Sequence, residues 1–271
     1  MTAKQIIGFI GGGNMAEALI KGLLAQGHSA GQILVADPSA ARQTLLRDTY
    51  GVGIAADNRA VVAGCQLLVL AIKPQLAVTV ADELAGTVSG KHLLVSILAG
   101  TATATLERLL GGTPRVVRAM PNTPALVGCG ATAICAGQFA TAADLETATA
   151  LFRAVGTVCT VYEGQMDAVT GLSGSGPAYV FSVIEALAAG GVQEGLAHEV
   201  ALELATRTVL GAARLVAESG EEPAALRQKV CSPGGTTLAG LTALEDGNLK
   251  ATLIEAVARA TRRSKELGKA T

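Results

Sequence analysis

The chain has 271 residues, a formal net charge of −1, 50% hydrophobic residues, only 3% aromatics and no tryptophan. That length permits one large or two modest domains around a sizeable core, and the scarcity of aromatics leaves Ala, Leu and Val to pack it, which favours Ala-rich helices over an all-β fold. No block of like charges occurs, so the sequence offers no nucleic-acid surface and no patch for an acidic membrane.

The N-terminus, MTAKQIIGFIGGG, shows no separate apolar stretch ending in a cleavage site, so no removable leader is expected. Residues 6–10 (IIGFI) form the first β-type run, and Gly11-Gly12-Gly13-Asn14-Met15-Ala16 follows at once, opening a helical stretch over 14–26. The six residues fit G-x-G-x-x-G/A, with Gly11 for the tight turn, Gly13 for close approach of a pyrophosphate and Ala16 for helix–strand contact. Asn14 and Met15 belong to the same cofactor loop. A nucleotide-triphosphate loop is excluded, because no Gly-Lys-Ser/Thr follows.

The second run, 32–37, closes on Asp37, near the spacing of about twenty residues at which an acid accepts the ribose 2′-OH of NAD. A carboxylate there repels the 2′-phosphate of NADP, whereas Ser39 and Arg42 just beyond suit that phosphate if Asp37 turns outward. Both cofactors stay open at this point, and turnover with both is expected. Helical stretches over 40–50, 75–84 and 103–110 alternate with apolar runs over 66–72, 92–98 and 115–120. Lys73, in Ala71-Ile72-Lys73-Pro74-Gln75, ends the third long run, where ligands bind at strand carboxyl ends. Asn58 and Ala99 sit at comparable loop positions, and Asn122 is the polar candidate beside a nicotinamide where the run 115–120 ends. Two more runs, 130–136 and 156–163, flank a helical stretch over 142–154. Nearly continuous apolar runs alternating with helices read as a parallel, doubly wound α/β sheet of Rossmann type.

Beyond about residue 165 the β-type runs stop. Helical stretches over 176–193, 197–218, 223–230, 235–245 and 248–267 remain, giving a dinucleotide-binding domain over 1–163 and an all-helical domain over 164–271. The longest apolar helix, 178–192, is interrupted by Glu185 and is too short to cross a bilayer. Apolar positions recur through 197–218 at helical spacing and these helices are Ala-rich on several faces, which suits burial against a second subunit as well as their own domain; the alternative is a self-contained helical bundle. The segment 173–178 (SGSGPA) reads as a turn into a helix, with Ser175 as cap and Pro177 in the first turn.

Ser232-Pro233-Gly234-Gly235-Thr236-Thr237 offers backbone N–H donors and hydroxyls at a helix start. Orphan N–H groups and the helix dipole both favour a small carboxylate there, and the glycines let it come close. Thr237 adds a hydroxyl that can donate to a bound substrate; as a competing structural role it would cap the helix. His28, His92 and His198 lie in no motif, which argues against histidine acid–base chemistry. The five cysteines (65, 129, 135, 159 and 231) contain no C-x-x-C pair, so no metal site or disulfide is expected, and reduced thiols point to the cytoplasm. Cys231 has no neighbouring base.

In order, GGGNMA, AIKPQ, SILAG, RAMPNTPALVG, GLSGSGPAYVF and VCSPGGTT resemble the pyrroline-5-carboxylate reductase family over essentially the whole chain. The resemblance implies reduction of 1-pyrroline-5-carboxylate to L-proline with NADPH or NADH, the last step of proline biosynthesis. It also implies an interlocked homodimer, in some members assembled into a decamer. By resemblance Asn58, Ala71, Lys73, Pro74 and Ala99 line the cofactor, and Val230, Ser232, Gly235, Thr236 and Thr237, beside Gly234, line the substrate, with Thr237 the candidate proton or hydrogen-bond donor to its ring nitrogen. Many members carry Ser, Thr or Asn where this chain has Asp37. Two rivals remain. The β-hydroxyacid dehydrogenases place Lys and Asn where this chain has Val180 and Ile184, so an alcohol would lack its proton acceptor. A non-catalytic dinucleotide sensor would leave the carboxylate loop without a purpose.

Overall fold

The computed structural model describes residues 6–269; the leader reading of residues 1–5 lies outside the described residues. In chain order the first part runs β1 (Ile7–Ile10), α1 (Asn14–Ala25), β2 (Ile33–Ala36), α2 (Ala40–Tyr50), β3 (Gly53–Ile54), α3 (Asn58–Gly64), β4 (Leu67–Leu70), α4 (Ala77–Leu84), β5 (Leu93–Ser96), α5 (Thr103–Leu110), β6 (Arg115–Met120), β7 (Gly130–Ala136), α6 (Ala142–Arg153) and β8 (Gly156–Thr160). The strands form one sheet in the order β3-β2-β1-β4-β5-β6-β7-β8. β1 to β6 are parallel, β7 runs antiparallel to β6, and β8 runs parallel to β7. The chain reverses direction in the sheet between β1 and β4, the switch point at which such sheets bind ligands.

The unbroken apolar strands have a simple cause. Side chains alternate faces along a strand, and both faces are covered. Ile7 and Phe9 of β1, Leu67 and Val69 of β4, and Leu93 and Val95 of β5 pack with Leu19 and Leu23 of α1 and Phe152 of α6. Their neighbours Ile10, Leu68, Leu70 and Leu94 face the other way, onto Val61 of α3, Val80 and Leu84 of α4 and Leu106 of α5. The short pair β3 and α3 lacks an apolar signature, since β3 has two residues and α3 is started by the Asp57 side chain accepting from the Ala60 N–H at 2.8 Å.

The far edge of the sheet is tied by one buried acid. Thr141 caps α6; its N–H and hydroxyl both donate to Asp144 Oδ2 at 2.8 Å. The other oxygen of Asp144 pairs with Arg115 Nη1, at the start of β6, at 2.7 Å. Asp144→Ala is therefore expected to cost ~2 kcal/mol, because it breaks the cap and strands a cation. A denaturant melt would read this, and a loss below about 0.5 kcal/mol would contradict it.

Contacts divide the chain into two compact units, one comprising residues to Ser175 with those from Ala258 onward, the other Gly176–Val257. The sequence places the junction at 163/164. The segment after it stays with the sheet because Met166, at the start of α7 (Met166–Val169), is fully buried with Ala133 and Cys135 of β7. The C-terminal part of α12 (Leu249–Lys269) joins the same unit: Ser264 donates to Asp167 at 2.6 Å, and Gly100 after β5 lies against the backbone of Gly268.

Ser175 is not a helix cap. Residues Thr170–Gly174 form a π-turn in which the Ser175 N–H donates to the Thr170 carbonyl, and the chain continues helically into α8 (Gly176–Gln193) with Pro177 in its first turn. The run Glu163–Gln193 is consequently 31 residues long, and by length and composition alone it could cross a membrane. The sequence reading of a helix too short for that is corrected on length.

In the helical unit α8 packs on α9 (His198–Ser219) through Ala188, Ala201 and Ala205, with Ile184 beside them. α10 (Pro223–Lys229) and α11 (Thr236–Asp246) follow.

Candidate functional site

The turn from β1 into α1 occupies the switch point. Gly11 has φ +97°, and a Cβ there would stand 2.5 Å from the Ala71 carbonyl oxygen, so only glycine fits. Gly13 is the N-cap of α1, no side chain caps the helix, and a Cβ on Gly13 would meet nothing within 4 Å. That open space, against uncapped N–H groups at a helix start, is a cradle for an anion. Ala16 is fully buried against the sheet, Asn14 is exposed beside the loop, and Met15 packs on the core.

A cavity of about 760 Å³ opens from this loop. It gathers Gly11, Gly13, Asp37, Asn58, Ala71 and Lys73 of the sequence candidates, together with Ser39 and Arg42. Its remaining walls were not legible as a motif: Ala36, Pro38, Ala56, Asp57, Ile72, Leu76, Val80 and Glu83. They come from the ends of β2 and β4, the loop before α3 and one face of α4, where Leu76, Val80 and Glu83 recur at helical spacing. Pro74 starts the short 3-10 turn Pro74–Leu76 next to Lys73 but is not part of the cavity lining.

Asp37 does not stand free. Its Oδ2 accepts from the Gly12 N–H at 2.7 Å and its Oδ1 from the Ser39 N–H at 2.8 Å. Arg42 braces the same loop, donating through Nε to the Gly12 carbonyl and through Nη2 to Glu17, both at 2.7 Å. Tyr50 completes the cluster by donating to the other Glu17 oxygen at 2.9 Å. Partial burial works against ionisation of Glu17, but the hydrogen bonds from Arg42 and Tyr50 outweigh it and hold its carboxyl below the ordinary 4.5. The Nη1 donors of Arg42 make no bond among the described residues and remain available to an anion.

Ala99 and Asn122 lie in the loops after β5 and β6, outside this cavity. The Asn122 amide is spoken for: its Oδ1 accepts from the Ala131 N–H at 2.8 Å and its Nδ2 donates to the Ser173 carbonyl at 3.2 Å. The arrangement ties the β6–β7 loop to the π-turn.

The glycine-rich loop of the helical unit precedes α11. Gly234 has φ +68°, and a Cβ on Gly235 would run into the Ser232 side chain. The N-cap of α11 is Gly235, with no side-chain cap, so Thr237 lies one residue inside the helix and is not its cap. The hydroxyls of Thr206, Thr242 and Thr252 bond back to carbonyls four residues earlier. Thr237 makes no such bond, and its half-buried hydroxyl stays available. Val230 ends α10 with its side chain largely exposed, and Ser232 and Thr236 are exposed on the same loop.

Neither buried thiol is set up as a nucleophile. Burial pushes the Cys65 thiol up to about 11, and burial followed by the nearby Glu163 charge does the same to Cys135. The Cys231 S–H is donated to the Arg227 carbonyl at 3.1 Å.

The sheet order, the glycine turn at its switch point and the adjoining cavity define a Rossmann-type dinucleotide-binding protein carrying a separate helical unit. Residues 6–100 match the family described as NADP oxidoreductase, coenzyme F420-dependent, and residues 163–267 match pyrroline-5-carboxylate reductase dimerisation. A pyrroline-5-carboxylate reductase of Synechocystis sp. is 48% identical over 97% of this chain and 98% of its own length. The structure of the Coxiella burnetii enzyme is 40% identical, with a TM-score of 0.90 over 97% of this chain and 98% of that one. The Plasmodium falciparum pyrroline carboxylate reductase, solved with NADP bound, is 30% identical, also at 0.90, over 99% of this chain and 100% of that one. The chain belongs to the pyrroline-5-carboxylate reductase family.

Proposed function

We propose that the protein reduces 1-pyrroline-5-carboxylate to L-proline with NADPH or NADH, as the last step of proline biosynthesis. The observation that carries this reading is the uncapped start of α11 behind two glycines, the first at a positive φ, a carboxylate grip, in a chain whose sheet unit offers a dinucleotide cradle. Gly11, Gly13, Asn14 and Met15 hold the pyrophosphate; Asp37, Asn58, Ala71, Lys73 and Pro74 hold the adenosine half; Ala99 and Asn122 lie toward the nicotinamide. When bound, the cofactor supplies hydride to the imine carbon.

The chain's own residues hold the other reactant. The first N–H groups of α11, with Ser232, Gly234, Gly235 and Thr236, grip the carboxylate, and Val230 packs against the ring. The Thr237 hydroxyl donates to the ring nitrogen, fixes its orientation and passes it the proton that the amine product needs besides the hydride, regaining its own from solvent. The grip predicts that 1-pyrroline, which lacks the carboxylate, is reduced at least about a hundredfold less efficiently than pyrroline-5-carboxylate. Equal kcat/KM for the two would remove the grip from the mechanism.

Both nicotinamides are expected to turn over within about a hundredfold of each other. Asp37 opposes a 2′-phosphate and is held in place by two N–H groups, while Arg42 attracts it. Asp37→Ser should raise the NADPH:NADH ratio of kcat/KM about tenfold. An unchanged ratio would show that Asp37 serves the loop alone.

The helical unit is read as the dimerisation element. Its fully buried apolar side chains are three alanines, whereas Phe181 is 62% and Ile254 61% exposed, and Leu187, Leu204 and Leu215 are also open. A second copy of the chain, interlocked through these helices, would cover so much apolar surface, including that of the run Glu163–Gln193. Five such dimers would give the decamer of some relatives. Light scattering that returned a monomer mass would contradict the dimer. The same reading places the enzyme in the cytoplasm, where reduced thiols such as these are the ordinary state.

A further inference from the structure

We infer that Glu83 selects adenine as the base of the bound dinucleotide, by accepting a hydrogen bond from its exocyclic amine, and that Asn58 sets the Glu83 carboxylate for this task. The inference rests on the reading that the cavity beside Gly11 takes the cofactor. Every residue lining that cavity lies between Gly11 and Glu83 in the sequence, at the ends of β1, β2 and β4, in the loop before α3 and along α4. With a pyrophosphate on Gly11–Gly13 and a ribose at Asp37, the base is the part that reaches the far wall. The cavity lining includes apolar Pro38, Ala56, Leu76 and Val80, which suit the faces of a flat ring, and polar Asn58 and Glu83.

The two polar groups are joined and oriented. Asn58 Nδ2 donates to Glu83 Oε2 at 2.9 Å, which leaves Oε1 without a partner among the described residues. Arg59 does not neutralise it: its Nε donates to the main-chain carbonyl of Glu83 at 3.1 Å and forms no ion pair with the carboxylate. A half-buried carboxylate in a ligand cavity, with one oxygen pinned and no ion pair among the described residues, calls for a donor from the ligand. Adenine presents an N–H₂ donor at its six-position, whereas a six-oxo purine presents an acceptor. Glu83 would therefore bond the first through its six-amino group and face an oxygen at that position in the second, whose donor on this edge is shifted to N1.

The test compares NADP⁺ with its hypoxanthine analogue, in which the six-amino group is replaced by oxygen, by calorimetric titration of the full chain. Wild-type protein should bind the adenine form about tenfold or more tightly than the hypoxanthine form. In Glu83→Gln, whose amide both donates and accepts, the ratio should fall to within about threefold, mainly through tighter binding of the hypoxanthine form. A role confined to pinning α3 against α4 would weaken both nucleotides alike and leave the ratio unchanged, and that result overturns the inference. Equal affinities in the wild type also overturn it. If neither nucleotide binds the wild type, the cofactor reading of the cavity fails first, and this inference with it.

Discussion

Replacing Gly11 with alanine is expected to weaken NADPH binding by about a hundredfold, or ~2.7 kcal/mol. Two effects add. The residue sits at φ +97°, where a side chain is strained, and its Cβ would stand 2.5 Å from the Ala71 oxygen and 3.0 Å from Ile72 Cγ2. The turn cannot relax freely, because the Gly11 N–H is bonded to the Ala36 carbonyl and the Ala71 N–H to the Ile10 carbonyl, both at 2.8 Å. Relief must come from moving the turn or the 71–73 loop, and both line the cofactor cavity. Titration of the variant by NADPH fluorescence measures the loss. Affinity retained within about threefold would mean that this turn does not set the cofactor.

Thr237→Ala should lower kcat/KM for pyrroline-5-carboxylate about a hundredfold and leave the fold intact. The two halves of that expectation have separate causes. The hydroxyl is not committed to a backbone carbonyl and does not cap α11, so its removal strands no partner. Alanine is also the better helix former, and the melting temperature should hold. Loss of the hydroxyl removes the donor proposed for the ring nitrogen, which matters only when substrate is present. Thr237→Ser, which keeps the hydroxyl, should recover most of the activity. Full activity in the alanine variant would return Thr237 to a purely structural role.

The parts legible in the sequence were those made by local chemistry. The apolar strands announced a sheet covered on both faces, and the G-x-G-x-x-A turn announced its own φ through Gly11. The helices after residue 175 could be bounded within a residue or two from their Gly, Pro and Ser punctuation. What escaped depended on contacts distant in sequence. β3 and α3 carry no periodic pattern, being held by pairing with β2 and by the Asp57 cap. Ser175 looked like a cap because Ser-Gly-Pro usually breaks a helix, yet packing of Met166 carries the chain helically through it in a π-turn. Glu83 lay in no motif, since only the fold of α4 over the loop before α3 brings it to Asn58. As a cap Thr237 was two residues off, because Gly235 already has the extended backbone that position requires and Thr237 is the second residue of α11.

The central claim is that the two units serve one reduction, and a coupled assay tests it most directly. Purified protein is mixed with NADPH and 1-pyrroline-5-carboxylate, the loss of absorbance is followed, and the product is identified by chiral chromatography. The account predicts oxidation of NADPH matched one for one by L-proline. Tight binding of NADPH without oxidation or proline formation would contradict it and leave a dinucleotide-binding sensor in its place.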